Sequence, residues 1–373
     1  MDTTVDLDTF SSLVERPDES ARRAAEERWQ QLDKPRAGLG QLEELGSWLA
    51  SVQGRSPVQP LTAAKVLLFA GDHGVAGLGI SRPGSPSTAQ RVQAVLDGTA
   101  PVAALARRYG AEVRVVDMAV DAVPGTFPAE VEHQRVRRGS GRIDIENALS
   151  LDEAARAFLT GMAVADEEAD AGTDVVVLGD LGAGSTTVAA VLIGALCGTD
   201  AAAVTGRGSG IDDRVWMVKC ATVRDALRRA RPVLGDQLAL LAAVGGADFA
   251  AVTGFLLQSA VRKLPVVLDG VVSAACALVA QRVAFRAPEW WRAGQSTGEP
   301  AQAKAYDRLT LTPLQGLGVS MGEGVGALLA LPLLQAATDT LADPADVAMI
   351  TRVGLAPKEP PRLPTAAELL GRG

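Results

Sequence analysis

The sequence predicts an α/β fold, a parallel sheet covered by helices on both faces. Three observations carry that reading. Short apolar, β-rich runs recur along the chain, most of them ending in or running straight into Gly or Asp. Stretches rich in Ala, Leu and Val at helical spacing separate them. Glycine-rich turns stand where a strand would hand over to a helix, as alternating strand and helix units require.

Taken in order, residues 17 to 56 read as helix. Ala21 to Leu32 is amphipathic, Lys34-Pro-Arg-Ala-Gly38 breaks it, and Leu39 to Val52 resumes. The strands expected from Lys65 onward are Val66 to Ala70, Val113 to Asp117, Val175 to Gly179, Ala202 to Gly206 and Pro265 to Asp269. Helices are expected between them, among them Thr88 to Tyr109 and Thr186 to Leu196. Trp290 and Trp291 are adjacent, point to different faces and read as packing residues. The stretch from Asp343 is Pro-rich and polar at its end, so residues 358 to 373 are expected to be disordered.

The chain of 373 residues is long enough for a large core, and 47% hydrophobic with 21% charged residues is ordinary for a globular enzyme. A net charge of −8 and a pI near 5.0 argue against a nucleic-acid partner. The basic run from Arg135 to Arg142 is short and reads as a solvated loop. Cys197, Cys220 and Cys276 match no metal spacing, and with only His73 and His133 a histidine-rich metal site is excluded. Met1 to Glu15 has no signal-peptide core and no apolar run suffices to span a bilayer, so a cytoplasmic protein is expected.

Four turns carry the chemistry: Phe69-Ala-Gly-Asp-His-Gly74, Gly179-Asp-Leu-Gly-Ala-Gly-Ser-Thr-Thr187, Gly206-Arg-Gly-Ser-Gly-Ile-Asp-Asp213 and Met321-Gly-Glu-Gly-Val-Gly326. Glycine permits a tight turn, and free amides at a helix start hold a phosphate. In the second turn Ser185, Thr186 and Thr187 add hydroxyls, which suits a phosphate or simply a capped helix. The third repeats the device, with Lys219 about two helical turns on, placed either to reach a phosphate or to stand bare on the surface. Ile211 occupies the place of the last glycine of a dinucleotide fingerprint, and no Walker motif is present, so a nicotinamide-dependent dehydrogenase is disfavoured. Asp72 and His73 read as a catalytic pair or as groups that bond loop backbone. Glu323, between two glycines at the head of an apolar helix, reads as a general base raised by desolvation or as an acid favouring the helix dipole.

These turns, with Gly245-Gly-Ala-Asp248 and Leu268-Asp-Gly270, resemble in type and order the nicotinate-nucleotide:dimethylbenzimidazole phosphoribosyltransferase family, from about Lys34 to Ala337. The resemblance implies attack of a benzimidazole nitrogen on the anomeric carbon of nicotinate mononucleotide, with nicotinate leaving and inversion to an α-ribotide. It implies Glu323 as the base that takes the imidazole proton. It places Ser81, Gln90, Asp180, Leu181 and Met321 around the aromatic base. Gly182, Gly184, Ser185, Thr186, Gly206, Gly208, Ser209, Gly210 and Lys219 would hold the phosphate and ribose. No metal or cofactor is implied. The family fold is a large Rossmann-like α/β domain, here 61 to 284, with a small helical domain from 17 to 60 and about 285 to 345, paired as a homodimer.

The chain departs from the family pattern in places. Pro86 replaces the acid of Tyr-Pro-x-Glu-Val-Thr-Ala-Gln. In Gly294-Gln-Ser-Thr-Gly-Glu-Pro-Ala-Gln302 both family histidines are glutamines. Ser185 stands for an Asn and Ser320 for an Arg, while Glu299 and Glu323 remain. Three explanations follow: a paralogue acting on another aromatic base, an altered rate on dimethylbenzimidazole, or lost catalysis with nucleotide binding kept.

Overall fold

In the computed structural model, which describes residues 7–32 and 34–342, five parallel strands lie in the order β2-β1-β3-β4-β5. They are β1 (Ala64–Gly71), β2 (Ala111–Ala119), β3 (Val175–Leu181), β4 (Val266–Leu268) and β5 (Trp291–Ala293). In β1, Val66 to Ala70 are fully buried, as are Val175 to Leu178 in β3. That explains why these runs are continuously apolar rather than alternating: helices cover both faces. Helix Ala247–Val261 packs on β1 and β2, and helix Gly270–Val283 on β3. In register, Phe69 of β1 stands opposite Asp180 of β3, so the ends of these two central strands run level.

The long helix expected from Thr88 to Tyr109 is two helices, Thr88–Leu96 and Pro101–Tyr109. Gly98, with φ of 71°, stops the first, and Pro101 starts the second at a position that needs no amide donor. A strand expected at Ala202 to Gly206 is instead a helical turn, Ala201–Val204, whose start is capped by Asp200 accepting from the Ala203 amide at 3.0 Å. Three consecutive alanines favour that choice.

The fifth strand comes from the tryptophan pair. Trp291 is buried within β5, while Trp290 donates its indole N–H to the Glu15 carbonyl at 2.8 Å.

Both chain ends meet. Helix Gln41–Gln53 packs against Glu19–Gln31 and against Leu331–Leu341, and Arg28 donates to the carbonyls of Leu341 (2.8 Å) and Ala342 (2.6 Å). Within the stretch 285–345, however, β5 belongs to the sheet and helix Pro300–Leu309 packs on Gly270–Val283 and Ser185–Cys197. The tail at 358–373 lies outside the described residues. The basic run is no free patch: Arg135, Arg137, Arg138 and Arg142 pair with Asp117, Glu153, Asp121 and Asp144. Among the described residues no helix is long and apolar enough to cross a membrane.

Candidate active site

Strand order 2-1-3 puts a topological switch between β1 and β3, and the crevice beyond such a switch is where open α/β sheets take ligands. Here it is a cleft of about 490 Å³, lined by the turn after β3, the loop 80–87, the turn around Gly208 and the Ser320–Glu323 segment. That last segment lies directly on the end of β3. A methyl group on Gly179 would overlap the backbone of Gly324, so only glycine lets Glu323 come down beside Asp180. Glu323 itself has φ of 61°, a left-handed conformation costing a residue with a Cβ about 1–2 kcal/mol. The residue is only 3% exposed.

Burial pushes the Glu323 carboxyl above its ordinary value, and the charge of Asp269 adds to this while the Arg91 guanidinium opposes it. Asp180 is pushed up to about 7 by burial and by the carboxylates of Asp269 and Asp248, with Arg91 again opposing. Ser185 donates to Asp180 Oδ2 at 3.2 Å and to the Gly182 carbonyl at 3.1 Å. Asp269, fully buried, is pushed up to about 6 by burial, although the Ala327 amide and Gln295 both donate to it. Glu323 and Asp180 thus line the cleft with Asp269 buried near them, and carboxyl groups that share so little water bind a proton more readily than ordinary carboxylates do.

Lys219 is 1% exposed, not a surface lysine. It comes from one face of helix Asp213–Ala230 and donates to Thr186 Oγ1 at 2.9 Å. Burial pulls its ammonium below the ordinary value, with Glu299 opposing. Glu299 accepts from the Gly208 amide at 2.9 Å, and a side chain at Gly206 would overlap that carboxylate. The Ser209 hydroxyl accepts from the Arg82 amide at 2.8 Å, tying the loop over the cleft to the same turn. Hydroxyls, backbone amides and a buried ammonium around one hollow are the donors a phosphate requires.

Of the residues singled out in the sequence, Glu323, Ser81, Asp180, Met321, Gly182, Gly184, Ser185, Thr186, Gly208 and Ser209 line this cleft. Lys219 reaches its wall through Thr186. Gln90 does not: its Oε1 accepts from the Ser87 amide at 2.9 Å, in a capping box that starts helix Thr88–Leu96. Leu181 is fully buried, and neither Gly206 nor Gly210 is part of the lining.

Asp72 bonds loops rather than the cleft. It accepts from Thr88 Oγ1 at 2.5 Å and from the amides of Asp121 (2.7 Å) and Ala183 (3.3 Å). His73, 2% exposed, pairs with Asp248 at 3.2 Å. Burial alone would depress its imidazole, but Asp248, with Asp72 and Asp180, outweighs this and raises it. Arg91 and Glu299 line the cleft as well; no motif marked Arg91, which follows the capping glutamine by a single residue.

A family model described as phosphoribosyltransferase matches residues 14–349. Over 342 residues the chain is 64% identical to the nicotinate-nucleotide–dimethylbenzimidazole phosphoribosyltransferase of Streptomyces avermitilis, covering 91% of each chain. It is 48% identical to the protein of the same name from Mycobacterium tuberculosis, covering 92% of this chain and 93% of that one. The crystal structure of CobT from Thermus thermophilus superposes with a TM-score of 0.80 at 36% identity, over 86% of this chain and 96% of that one. With the sheet, the cleft at its switch point and the match running nearly end to end, the chain belongs to this phosphoribosyltransferase family.

Proposed function

We propose that this chain transfers the 5-phosphoribosyl group of nicotinate mononucleotide to an aromatic nitrogen base, 5,6-dimethylbenzimidazole, giving an α-ribotide 5′-phosphate and nicotinate. The names of the relatives supply the substrates, and one observation in the chain carries the reading. A desolvated carboxylate, Glu323, faces the same cleft as the hydroxyl- and amide-rich turns backed by Lys219.

In this reading Lys219, Thr186 and the amides around Gly184 and Gly208 hold the phosphate. An acceptor nitrogen attacks the anomeric carbon from the face opposite nicotinate. The C–N bond to nicotinate breaks, and its electron pair neutralises the pyridinium, so the leaving group departs uncharged at nitrogen. The proton of the acceptor's second nitrogen goes to Glu323, whose raised affinity for a proton suits that transfer. Asp180, adjacent on β3, lies where it faces the acceptor. A homodimer is part of the same reading and is carried by the resemblance alone; light scattering in solution tests it.

A second reading, the same transfer onto another aromatic base, is favoured by Pro86, which faces the cleft in place of the family's acid. Gln295 and Gln302 do not favour it, because both are buried behind the lining. Mass spectrometry of purified protein with nicotinate mononucleotide and a panel of benzimidazoles, purines and phenols separates the two. Nicotinate release with α-ribotide formation from dimethylbenzimidazole is the expected result. Release only with another acceptor selects the second reading, and no release with any acceptor rejects both.

A further inference from the structure

The two glutamines that stand where the family motif carries histidine are neighbours in an unbroken polar line. Gln295 is fully buried and donates from Nε2 to Asp269 Oδ1 at 2.9 Å. The same oxygen accepts from the Ala327 amide at 2.9 Å, four residues beyond Glu323. The backbone at Gly326 lies flat against the Gln295 amide, so that any side chain there would overlap it, and Gln315 donates to the Gly326 carbonyl at 2.7 Å.

On its other side, Gln302, 1% exposed, donates to the backbone carbonyl of Gln295 at 3.1 Å. Its Oε1 accepts from both the amide and the hydroxyl of Thr297, each at 2.7 Å. The Thr297 hydroxyl accepts from the Glu299 amide at 3.3 Å, and Glu299 accepts from the Gly208 amide. One line of hydrogen bonds thus runs from the Glu323 segment to the turn that Lys219 backs.

We infer that Gln295 and Gln302 are positioning residues that fix the Glu323 segment relative to the phosphate-holding turn. The assignment rests on the phosphoribosyl-transfer reading for its effect on rate, but the mechanical link stands on geometry alone. At Gln302 a primary amide suits the role because it donates and accepts at once without titrating, whereas Gln295 serves through its Nε2 donor alone, its Oε1 having no partner. Cutting the line removes partners: at Gln302 those of half-buried Thr297, the Gln295 carbonyl and the buried Tyr306 hydroxyl, and at Gln295 the side-chain donor to buried Asp269.

The link is tested on the ligand-free full chain by backbone hydrogen exchange, with methionine as a substitute of similar volume that forms no such bonds. Gln302→Met should speed exchange about tenfold at both 206–210 and 324–327, with β1 and β3 unchanged, since about 1.4 kcal/mol of lost local stability is tenfold. Gln302→His, which keeps one donor and one acceptor, should recover most of that protection.

In turnover, Gln295→Met should lower kcat about tenfold with the KM for nicotinate mononucleotide within about twofold, whereas Gln302→Met should raise that KM as well. Exchange changes confined to 295–302, or kinetic losses that only track the fall in Tm, would overturn the assignment. If Gln302→Met does not fold, Thr297→Val decides. Loosening at 206–210 with protection kept at 324–327 supports the line, and no change at 206–210 rejects it. A wild-type protein without turnover would remove the enzymatic reading and leave the exchange result to decide the link.

Discussion

Arg91 Nη1 stands 3.6 Å from Glu323 Oε1, near enough for charge to act and too far for a hydrogen bond. The guanidinium therefore restrains a carboxyl that burial drives upward. Activity that needs Glu323 ionised falls on the acid side of its titration. Arg91→Ala removes the restraint, raises the carboxyl further and shifts the acid limb of the kcat/KM profile to higher pH. Arg91→Lys should leave that limb close to its original place. A pH–rate series on the three proteins checks both, and an unmoved limb in Arg91→Ala would detach Arg91 from the base.

Glu323→Gln keeps the volume and removes the proton acceptor. A loss of about 10²–10⁴ in kcat is expected from general-base removal. Calorimetric affinity for nicotinate mononucleotide should stay within about threefold. Unchanged turnover would transfer the proton role to another group.

Asp180 gives a stability effect whose sign follows from its shift. Its carboxyl is raised from 3.8 to about 7, so the folded chain holds a proton that the unfolded chain has already released. The stability this contributes is complete below about pH 4 and is lost as pH rises through about 7. Asp180→Asn abolishes that loss. Relative to wild type, the variant's Tm should therefore rise between pH 5 and pH 8, as thermal melts across that range would show.

Lys219→Met separates binding from folding. A buried ammonium costs desolvation energy, so its replacement by an apolar chain of similar length should leave Tm unchanged or raised. The KM for the nucleotide should climb about 10- to 100-fold through loss of a charge-assisted contact. An unchanged KM would move the phosphate away from this turn.

Gly179→Ala tests the seat of the base segment. The new methyl overlaps the Gly324 backbone, and a cost of about 1–3 kcal/mol in stability is expected with a fall in kcat. Denaturant melts and initial rates measure both.

Three strands, β1, β3 and β4, were legible because burial on both faces makes them nearly continuous apolar runs, and edge strand β2, which carries Glu112 and Arg114, was legible from Val113, Val115 and Val116. The fifth was not, since Trp291-Arg-Ala293 has no β-branched residue and follows directly on a short helical turn, Ala287–Trp290. Alanines at 201–203 sit with a valine in a run short enough to read either way, and an aspartate cap decided for helix. Glu323 stood out because glycines flank it, and Lys219 because its spacing from the third turn is readable. Ser87-Thr-Ala-Gln90 carries the visible pattern of a capping box, and the structure uses it so. Arg91, by contrast, reaches the cleft through a backbone path that no local pattern encodes. Gln295 and Gln302 show as departures from a motif, but that they touch each other emerges only when Pro300–Leu309 folds back.

Glu323 joins a cleft most of whose other lining, between Ala76 and Thr187, comes far earlier in the chain. During synthesis β1, β3 and the hydroxyl-bearing turn leave the ribosome long before Glu323 does. A chain interrupted between Lys219 and Met321 carries the residues proposed here to hold the phosphate and lacks the carboxylate proposed to take the proton. The order of synthesis thus adds the proposed proton acceptor last, after every group proposed to hold the nucleotide.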